Sequence, residues 1–258
     1  MNKSPLRYPG GKTRACKKLF EIVNSNYDLS KFDTIVSPFF GGGSFEFYLS
    51  KMCGLQIIAN DKFKPLFSFW KTSKTNNIEL CDKLYQQIDT INKEAFATLR
   101  KSVIEEENEI EQGVMYFIIN RCSFSGATLS GGFSQEASKK RFTKSSVDRV
   151  KKLDLTNFDI FNLDFEEFIQ SKSNCMLFVD PPYFLEKGSN LYGKNGDLHE
   201  NFDHERLHKC ITTKKNWCMT YNNCAYIREL YKDFKIIETS WSYGMNKSKQ
   251  SSEIVILG

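Results

Sequence analysis

Asp180-Pro181-Pro182-Tyr183 is the segment of this chain whose residue types point most directly to chemistry. It follows an apolar run, Cys175-Met176-Leu177-Phe178-Val179, which reads as a buried parallel strand. The carboxylate then falls at the strand's C-terminal end, where open α/β sheets bind ligands. Two consecutive prolines remove two backbone donors and stiffen the turn. What remains is a cluster of acceptors, the Asp180 carboxylate and nearby carbonyls, with the aromatic face of Tyr183 beside it. Such a cluster suits a planar ligand bearing an exocyclic amino group, as a nucleobase does. A strand that merely ends in a proline turn would carry the same four letters.

A second set of residues lies earlier. The run Thr34-Ile35-Val36-Ser37-Pro38-Phe39-Phe40 reads as a short buried strand, followed by Gly41-Gly42-Gly43-Ser44 and a helix to about Cys53. Glycines there let the backbone approach a ligand and turn into a helix whose N-terminus faces it. The spacing is not GxGxxG, so a dinucleotide pyrophosphate is not specified, and a plain strand-to-helix turn fits equally well. The next strand, Leu55–Ala59, ends at Asn60-Asp61, about 20 residues after the glycine loop. An acid at that place accepts hydrogen bonds from ribose hydroxyls, or caps a helix. Leu6-Arg7-Tyr8-Pro9-Gly10-Gly11-Lys12-Thr13 resembles the end of a P-loop, but Leu6 stands where that motif needs glycine, and too few residues precede it for the usual strand. ATP hydrolysis is excluded on this ground. A glycine turn presenting Lys12 and Tyr8 to a ligand is retained.

The stretch 121–149 is basic, with Arg121, Lys139, Lys140, Arg141, Lys144 and Arg149, and Phe124, Phe133 and Phe142 are interleaved. Basic and aromatic groups together suit phosphate contacts and wedging or stacking against bases, while a charge cluster alone is more often a solvated loop. Of the histidines at 199, 204 and 208, the last two share an i, i+4 spacing without an evident third ligand, so they read as a solvated helix rather than a metal site. The eight cysteines form no CxxC pair and several lie in apolar runs, which predicts reduced, buried thiols.

These residues need elements to position them. The pattern of strand, glycine loop, helix, strand and acid is a βαβ unit. From about 64 to 120 it gives way to long helical stretches, and residues 121–145 read as an irregular loop or hairpin. Strands resume at 158–162, at the run before Asp180 and at 217–221, and the runs 235–239 and 253–257 read as a closing antiparallel pair. The expectation is an α/β, Rossmann-like domain built from residues 1–61 and 153–258 and split by a mostly helical insertion at 62–152. At 258 residues, with 40% hydrophobic and 26% charged residues, the composition is that of a soluble globular protein. A net charge of +5 permits a polyanionic partner without demanding one. No apolar run approaches 18 residues and no leader stands out, so a cytoplasmic location away from membranes is expected.

Taken in order, the PxxYPGGK start, SPFFGGGSF, the acid of AND, Asn120-Arg121, DPPY and the weaker SSEIVI resemble the DNA adenine methylase (Dam-like) family of N6-adenine DNA methyltransferases. The resemblance spans nearly the whole chain. It implies an S-adenosylmethionine-dependent methyltransferase sheet, an inserted target-recognition domain, S-adenosylmethionine as cofactor without a metal, and double-stranded DNA as partner. It leaves open whether a cognate restriction endonuclease is a second partner. By position, the cofactor contacts fall on Tyr8, Lys12, Asp61 and Asp180, with Gly10, Gly11, Phe40, Gly41, Gly42, Gly43, Ser44 and Asp164 lining the same pocket. The catalytic set is Asp180, Pro181, Pro182 and Tyr183. DNA contacts fall on Arg121, Ser123, Ser125, Lys139, Lys140 and Arg141. Members that methylate GATC carry a different segment after the position of Gly126, so this chain is expected to read a short adenine-containing site of its own. N4-cytosine methylation, methylation of RNA or of a protein amide, and an inactive DNA-binding homologue are the competing readings.

Overall fold

The protein is described here from a computed structural model covering residues 3–8, 10–184, 202–242 and 250–258. Two compact units emerge. One holds residues 10–62 with 157–184 and 202–258, and the other holds 3–8 with 63–156.

The first unit is built on a seven-stranded sheet: β1 (Thr34–Ser37), β2 (Gln56–Asn60), β3 (Phe158–Phe161), β4 (Met176–Val179), β5 (Trp217–Asn222), β6 (Lys235–Ser242) and β7 (Gln250–Leu257). Its order is β3-β2-β1-β4-β5-β7-β6. The strands β1 to β5 run parallel to one another, and β7 runs antiparallel between β5 and β6. This is the Rossmann-like sheet expected from the sequence, including its closing antiparallel pair. β4 is buried along its whole length, as its unbroken apolar run requires. From β1 the chain steps outward to β2 and β3, then returns to β4 on the other side of β1. The strand order therefore reverses between β1 and β4, and the crevice beyond the C-terminal ends of such strands is where ligands bind. The glycine loop follows β1, and Asp180 follows β4. The fold thus sets the two motifs on neighbouring strand ends.

Asn60, fully buried, fastens this edge. Its amide donates to the carbonyls of Pro38 and Leu163, both at 3.1 Å, and its oxygen accepts the Leu163 N–H at 2.8 Å. One side chain so ties the loops after β1, β2 and β3.

The second unit is helical. Helix Lys64–Thr75 lies against helix Glu109–Cys122, where Phe69 stacks on Phe117 with ring centres 5.4 Å apart. Gly113 makes the approach possible, since a Cβ there would meet Thr72 Oγ1 at 2.7 Å and Phe69 Cα at 3.1 Å. The buried Gln112 takes the Ser68 hydroxyl at 2.6 Å and donates to the carbonyls of Val103 and Glu106. The segment expected to be irregular from 121 to 145 is so only in its first half. Ser134 caps a helix, Gln135–Arg141, and Thr143 with Ser146 forms a capping box opening helix Lys144–Lys151. Capping hydroxyls supply the donors and acceptors that a helix end lacks, so a segment rich in serine and lysine becomes helical.

Candidate active site

Asp180 leaves β4 at the sheet edge with its side chain 24% exposed. The β4–β5 register pairs Val179 with Met219, which brings Asp180 beside Thr220. The Thr220 hydroxyl donates to Asp180 Oδ1 at 2.5 Å, and Lys12 Nζ lies 2.8 Å from the same oxygen. Oδ2 takes no hydrogen bond from any described residue. Two donors thus fix the carboxylate through one oxygen and leave the other to accept from a ligand. Pro181 is buried and Pro182 half-buried, and neither brings an N–H that would compete for that role. Past the prolines, Asn222 donates to the Phe184 carbonyl at 2.9 Å and fastens the loop.

Lys12 is 4% exposed. Its ammonium donates to the Gly10 carbonyl at 3.2 Å, sits 4.0 Å from Glu253 Oε2 and stands over the Tyr183 ring, 4.9 Å from its centre. Gly10, with φ of 72°, makes the turn that returns its carbonyl to Lys12, and Gly11 precedes the short turn Lys12–Arg14. Tyr183 donates its hydroxyl to Glu253 Oε2 at 2.6 Å and packs against Tyr221 with ring centres 5.8 Å apart. Tyr221 in turn bonds His204 Nδ1 at 2.7 Å. His204 is therefore a buried core partner on the amphipathic helix His204–Ile211, not the solvated residue its spacing suggested, because its face of the helix packs on β5. His199 lies outside the described residues.

A second carboxyl group lies beneath this site. Glu46 is 3% exposed and accepts the Ser37 hydroxyl at 2.6 Å. Burial pushes it up to about 8, with the Ser37 hydrogen bond opposing and the Asp180 charge adding to the rise. Cys16 is similarly pushed up to about 12, by burial first and by Glu46 second. All eight cysteines are free thiols, and burial raises Cys16, Cys53, Cys81, Cys122, Cys175, Cys210 and Cys218, the opposite of activation as nucleophiles.

The glycine loop forms the adjoining edge. Gly41 and Gly43 have φ of 50° and 65°, and Gly43 opens helix Ser44–Cys53. A Cβ at Gly43 would strike the Phe40 ring at 2.6 Å. Asp61 Oδ2 accepts the Gly41 N–H at 2.9 Å, so acid and loop are one structure, and the N-cap position of helix Lys64–Thr75 is taken by Phe63. An adenosyl cofactor fits this donor set, with a carboxylate at a strand end for ribose hydroxyls and a helix N-terminus for a ligand carboxylate. Gly42 and Ser44 continue the loop, and the Ser44 hydroxyl meets that of Thr13 at 3.0 Å. Two of the expected pocket residues are otherwise engaged. Phe40 turns its buried ring toward Phe47 and Phe158. Asp164 caps helix Phe165–Gln170 and pairs with Lys62 at 2.8 Å and with Arg206. Burial would raise its carboxyl, but the bonds from Lys62 and Arg206 outweigh that and hold it below the usual range. Tyr8 belongs to the helical unit and lies at its surface, 37% exposed.

In the helical unit the Asn120 side chain accepts the Arg7 N–H at 3.0 Å and donates to the Arg7 carbonyl at 2.7 Å, clamping the segment 3–8. Arg121, expected at the surface as a DNA contact, is 6% exposed. Its guanidinium donates to the carbonyls of Arg141 and Pro5. Burial lowers it to about 10, with Arg149, Arg7 and Arg141 adding to the fall. Ser123 is likewise buried, its hydroxyl spent on Asn120 and Thr128. The side chain of Ser125 lies outside what is described. Lys139 and Lys140 are exposed, Lys140 paired with Glu136 at 3.0 Å, and Arg141 is half-buried. Of the interleaved aromatics, Phe142 is buried against Phe117 and Phe133 packs on Phe96, whereas Phe124 is 68% exposed. Phe124 stands on a closed turn. Its N–H bonds the Gly132 carbonyl at 2.9 Å, and Gly126, at φ 74°, passes so close to Arg7 that a Cβ would meet its carbonyl oxygen at 2.7 Å.

The residues that sequence reasoning missed are Thr220, Glu253, Glu46 and Asn60. Glu46 left one signal, a lone acid in the apolar helix start Ser44-Phe45-Glu46-Phe47, and Glu253 stood in the SSEIVI pattern without a role.

Known proteins bear on this arrangement. Modification methylase StsI of Streptococcus sanguinis is 23% identical over 207 residues, which are 75% of this chain and 30% of that protein. The chain therefore spans well under half the length of that relative. The solved hMettl16 catalytic domain in complex with MAT2A 3'UTR hairpin 6 superposes with a TM-score of 0.41 at 7% identity, covering 95% of this chain and 69% of that chain. Residues 8–245, which include Lys12, Asp180, Tyr183 and Thr220, match the D12 class N6 adenine-specific DNA methyltransferases, and the chain belongs to that family.

Proposed function

We propose that this chain is a site-specific DNA methyltransferase acting on the N6 amine of adenine in duplex DNA. The observation that carries the reading is the Asp180 carboxylate, held by Lys12 and Thr220 through Oδ1 with Oδ2 left to accept from a ligand, beside the ring of Tyr183. The adenine amine is a poor nucleophile because its lone pair is delocalised into the ring. Accepting its two hydrogens at Asp180 Oδ2 and the Pro181 carbonyl favours a tetrahedral nitrogen whose lone pair faces the methyl donor. When bound, S-adenosylmethionine supplies a methyl group on a positively charged sulfur. Asp61 holds the ribose hydroxyls, and the Gly41–Gly43 loop lines the same pocket. With the cofactor bound, its sulfonium methyl would pass to the amine, the amine would give up one proton, and Asp180 Oδ2 would receive it. Much of the rate then comes from orientation.

An adenine inside a duplex cannot reach such a cluster, so the base flips out and stacks on Tyr183. We assign residues 62–152 to target recognition. The turn carrying Phe124 enters a groove or wedges the duplex, and Lys139, Lys140 and Arg141 meet phosphates. Arg121 supports the end of the helix that carries these three side chains, through the Arg141 carbonyl. A cognate restriction endonuclease is a compatible partner. The test is incubation with S-adenosylmethionine labelled on its methyl group and, in separate reactions, DNA, RNA and protein, followed by hydrolysis of the product. Label on N6 of adenine from DNA is expected. Label on cytosine, on RNA or on protein overturns the reading.

A further inference from the structure

Because β7 runs antiparallel to β5, its first half lies at the edge where β4 and β5 end. Its register sets Glu253 opposite Asn222. The side chain is 1% exposed. A buried carboxylate is costly unless its partners compensate it closely. Here one oxygen, Oε2, serves two partners, the Tyr183 hydroxyl at 2.6 Å and Lys12 Nζ at 4.0 Å. Lys12 reaches from there to Asp180 Oδ1 at 2.8 Å and to the Tyr183 ring, 4.9 Å from its centre. Tyr183 is thus held at its hydroxyl by Glu253, over its ring by Lys12 and along its side by Tyr221 at 5.8 Å.

We propose that Glu253 is a positioning residue for the transfer. It fixes the plane of Tyr183 relative to the Asp180 carboxylate, so that a stacked base presents its amine to Oδ2. This rests on the reading of Tyr183 as the stacking face for a flipped base. A phenol ring without its hydroxyl anchor can tilt about its side-chain bonds, and a small misalignment of reacting atoms costs rate far more than affinity.

The experiment compares wild type, Glu253→Leu, which has no acceptor for the Tyr183 hydroxyl, Tyr183→Phe and the double variant on unmethylated plasmid DNA with tritiated S-adenosylmethionine. The same four proteins are titrated with a duplex carrying 2-aminopurine at the target adenine, once sequencing of methylated DNA has located it. Each single variant is expected to lose roughly tenfold in kcat, and the double to fall within about twofold of the weaker single, because both remove one contact. The 2-aminopurine signal of each variant differs from wild type, while cofactor affinity by calorimetry stays within about twofold. Tyr183→Phe keeps the ring in the core, so it reports even where Glu253→Leu fails to fold. Multiplying losses in the double variant overturn the proposal, as does wild-type kcat and fluorescence in either single. If wild-type protein places no label in DNA, the functional reading falls instead.

Discussion

Lys12 and Lys139 carry the same charge in opposite settings. Lys12 is buried in the sheet unit among Asp180, Glu253 and the ring of Tyr183. Lys139 stands in water on the short helix Gln135–Arg141 of the helical unit. A buried charge matched in a tight group cannot move without leaving a partner uncompensated, which makes it a device for geometry. An exposed charge is screened, adaptable and individually weak, which makes it a device for affinity toward a polyanion. On the proposed function, burial alone separates two lysines into one that serves geometry and one that serves attachment.

The strongest way to break this contrast is Asp180→Ala. It removes the acceptor and leaves Lys12 with Glu253, and turnover is expected to fall by at least ~10²–10³ while circular dichroism shows the fold retained. A folded variant with wild-type turnover would end the assignment. Asp61→Ala comes next. The loss of a charge-assisted contact to the ribose, together with the Gly41 N–H anchor, should weaken cofactor binding by roughly 1.5–3 kcal/mol in calorimetry, with DNA affinity little changed. An unchanged cofactor dissociation constant would reduce Asp61 to a loop fastener.

Glu46→Gln probes what burial alone does to a charge. In the unfolded chain this carboxyl ionises near its ordinary value of 4.5, and in the folded protein near 8. Stability is therefore highest below the lower value and is lost as pH rises through the window between them. Glutamine keeps the acceptor for Ser37 and cannot ionise. The variant should gain on wild type with rising pH by up to ~4 kcal/mol, read from chemical denaturation at pH 5 and pH 9. Parallel pH profiles for the two proteins would refute the shift. The smallest effect is expected at the surface. Lys139→Ala should lower the log–log salt slope of DNA binding by roughly 0.9, and Lys140→Ala by less, since Glu136 already pairs with Lys140. Equal slopes for wild type and both variants would place the DNA surface elsewhere.

The same contrast explains what could be read from the letters. Asp180, the glycine loop and Asp61 were legible because each follows directly from a strand and its turn, and neighbouring strand ends then bring them together. Thr220 and Glu253 were not, because only the β4–β5 and β5–β7 registers carry them to Asp180 across long sequence separations. Burial was the other blind spot. Arg121 and Lys139 share one basic stretch, and sequence gave no means of knowing that one faces carbonyls inside the unit and the other faces water. His204 failed similarly, since the face of its helix that meets the sheet is set by tertiary packing. The helices at 135–151 were missed because capping serine and threonine look like loop residues when read singly.

The place of β7 in the sheet has a consequence for how the protein is made. β6 precedes β7 along the chain, yet it joins the sheet only through β7. A growing chain that has reached β6 has no seat for it and holds Asp180 without the anchor of Tyr183. Docking of β7 fills the gap, gives β6 its only neighbour and delivers Glu253 in one event. Completion of the sheet and anchoring of Tyr183 therefore coincide, and a chain interrupted before residue 253 carries Asp180-Pro181-Pro182-Tyr183 without the carboxylate that holds the Tyr183 hydroxyl.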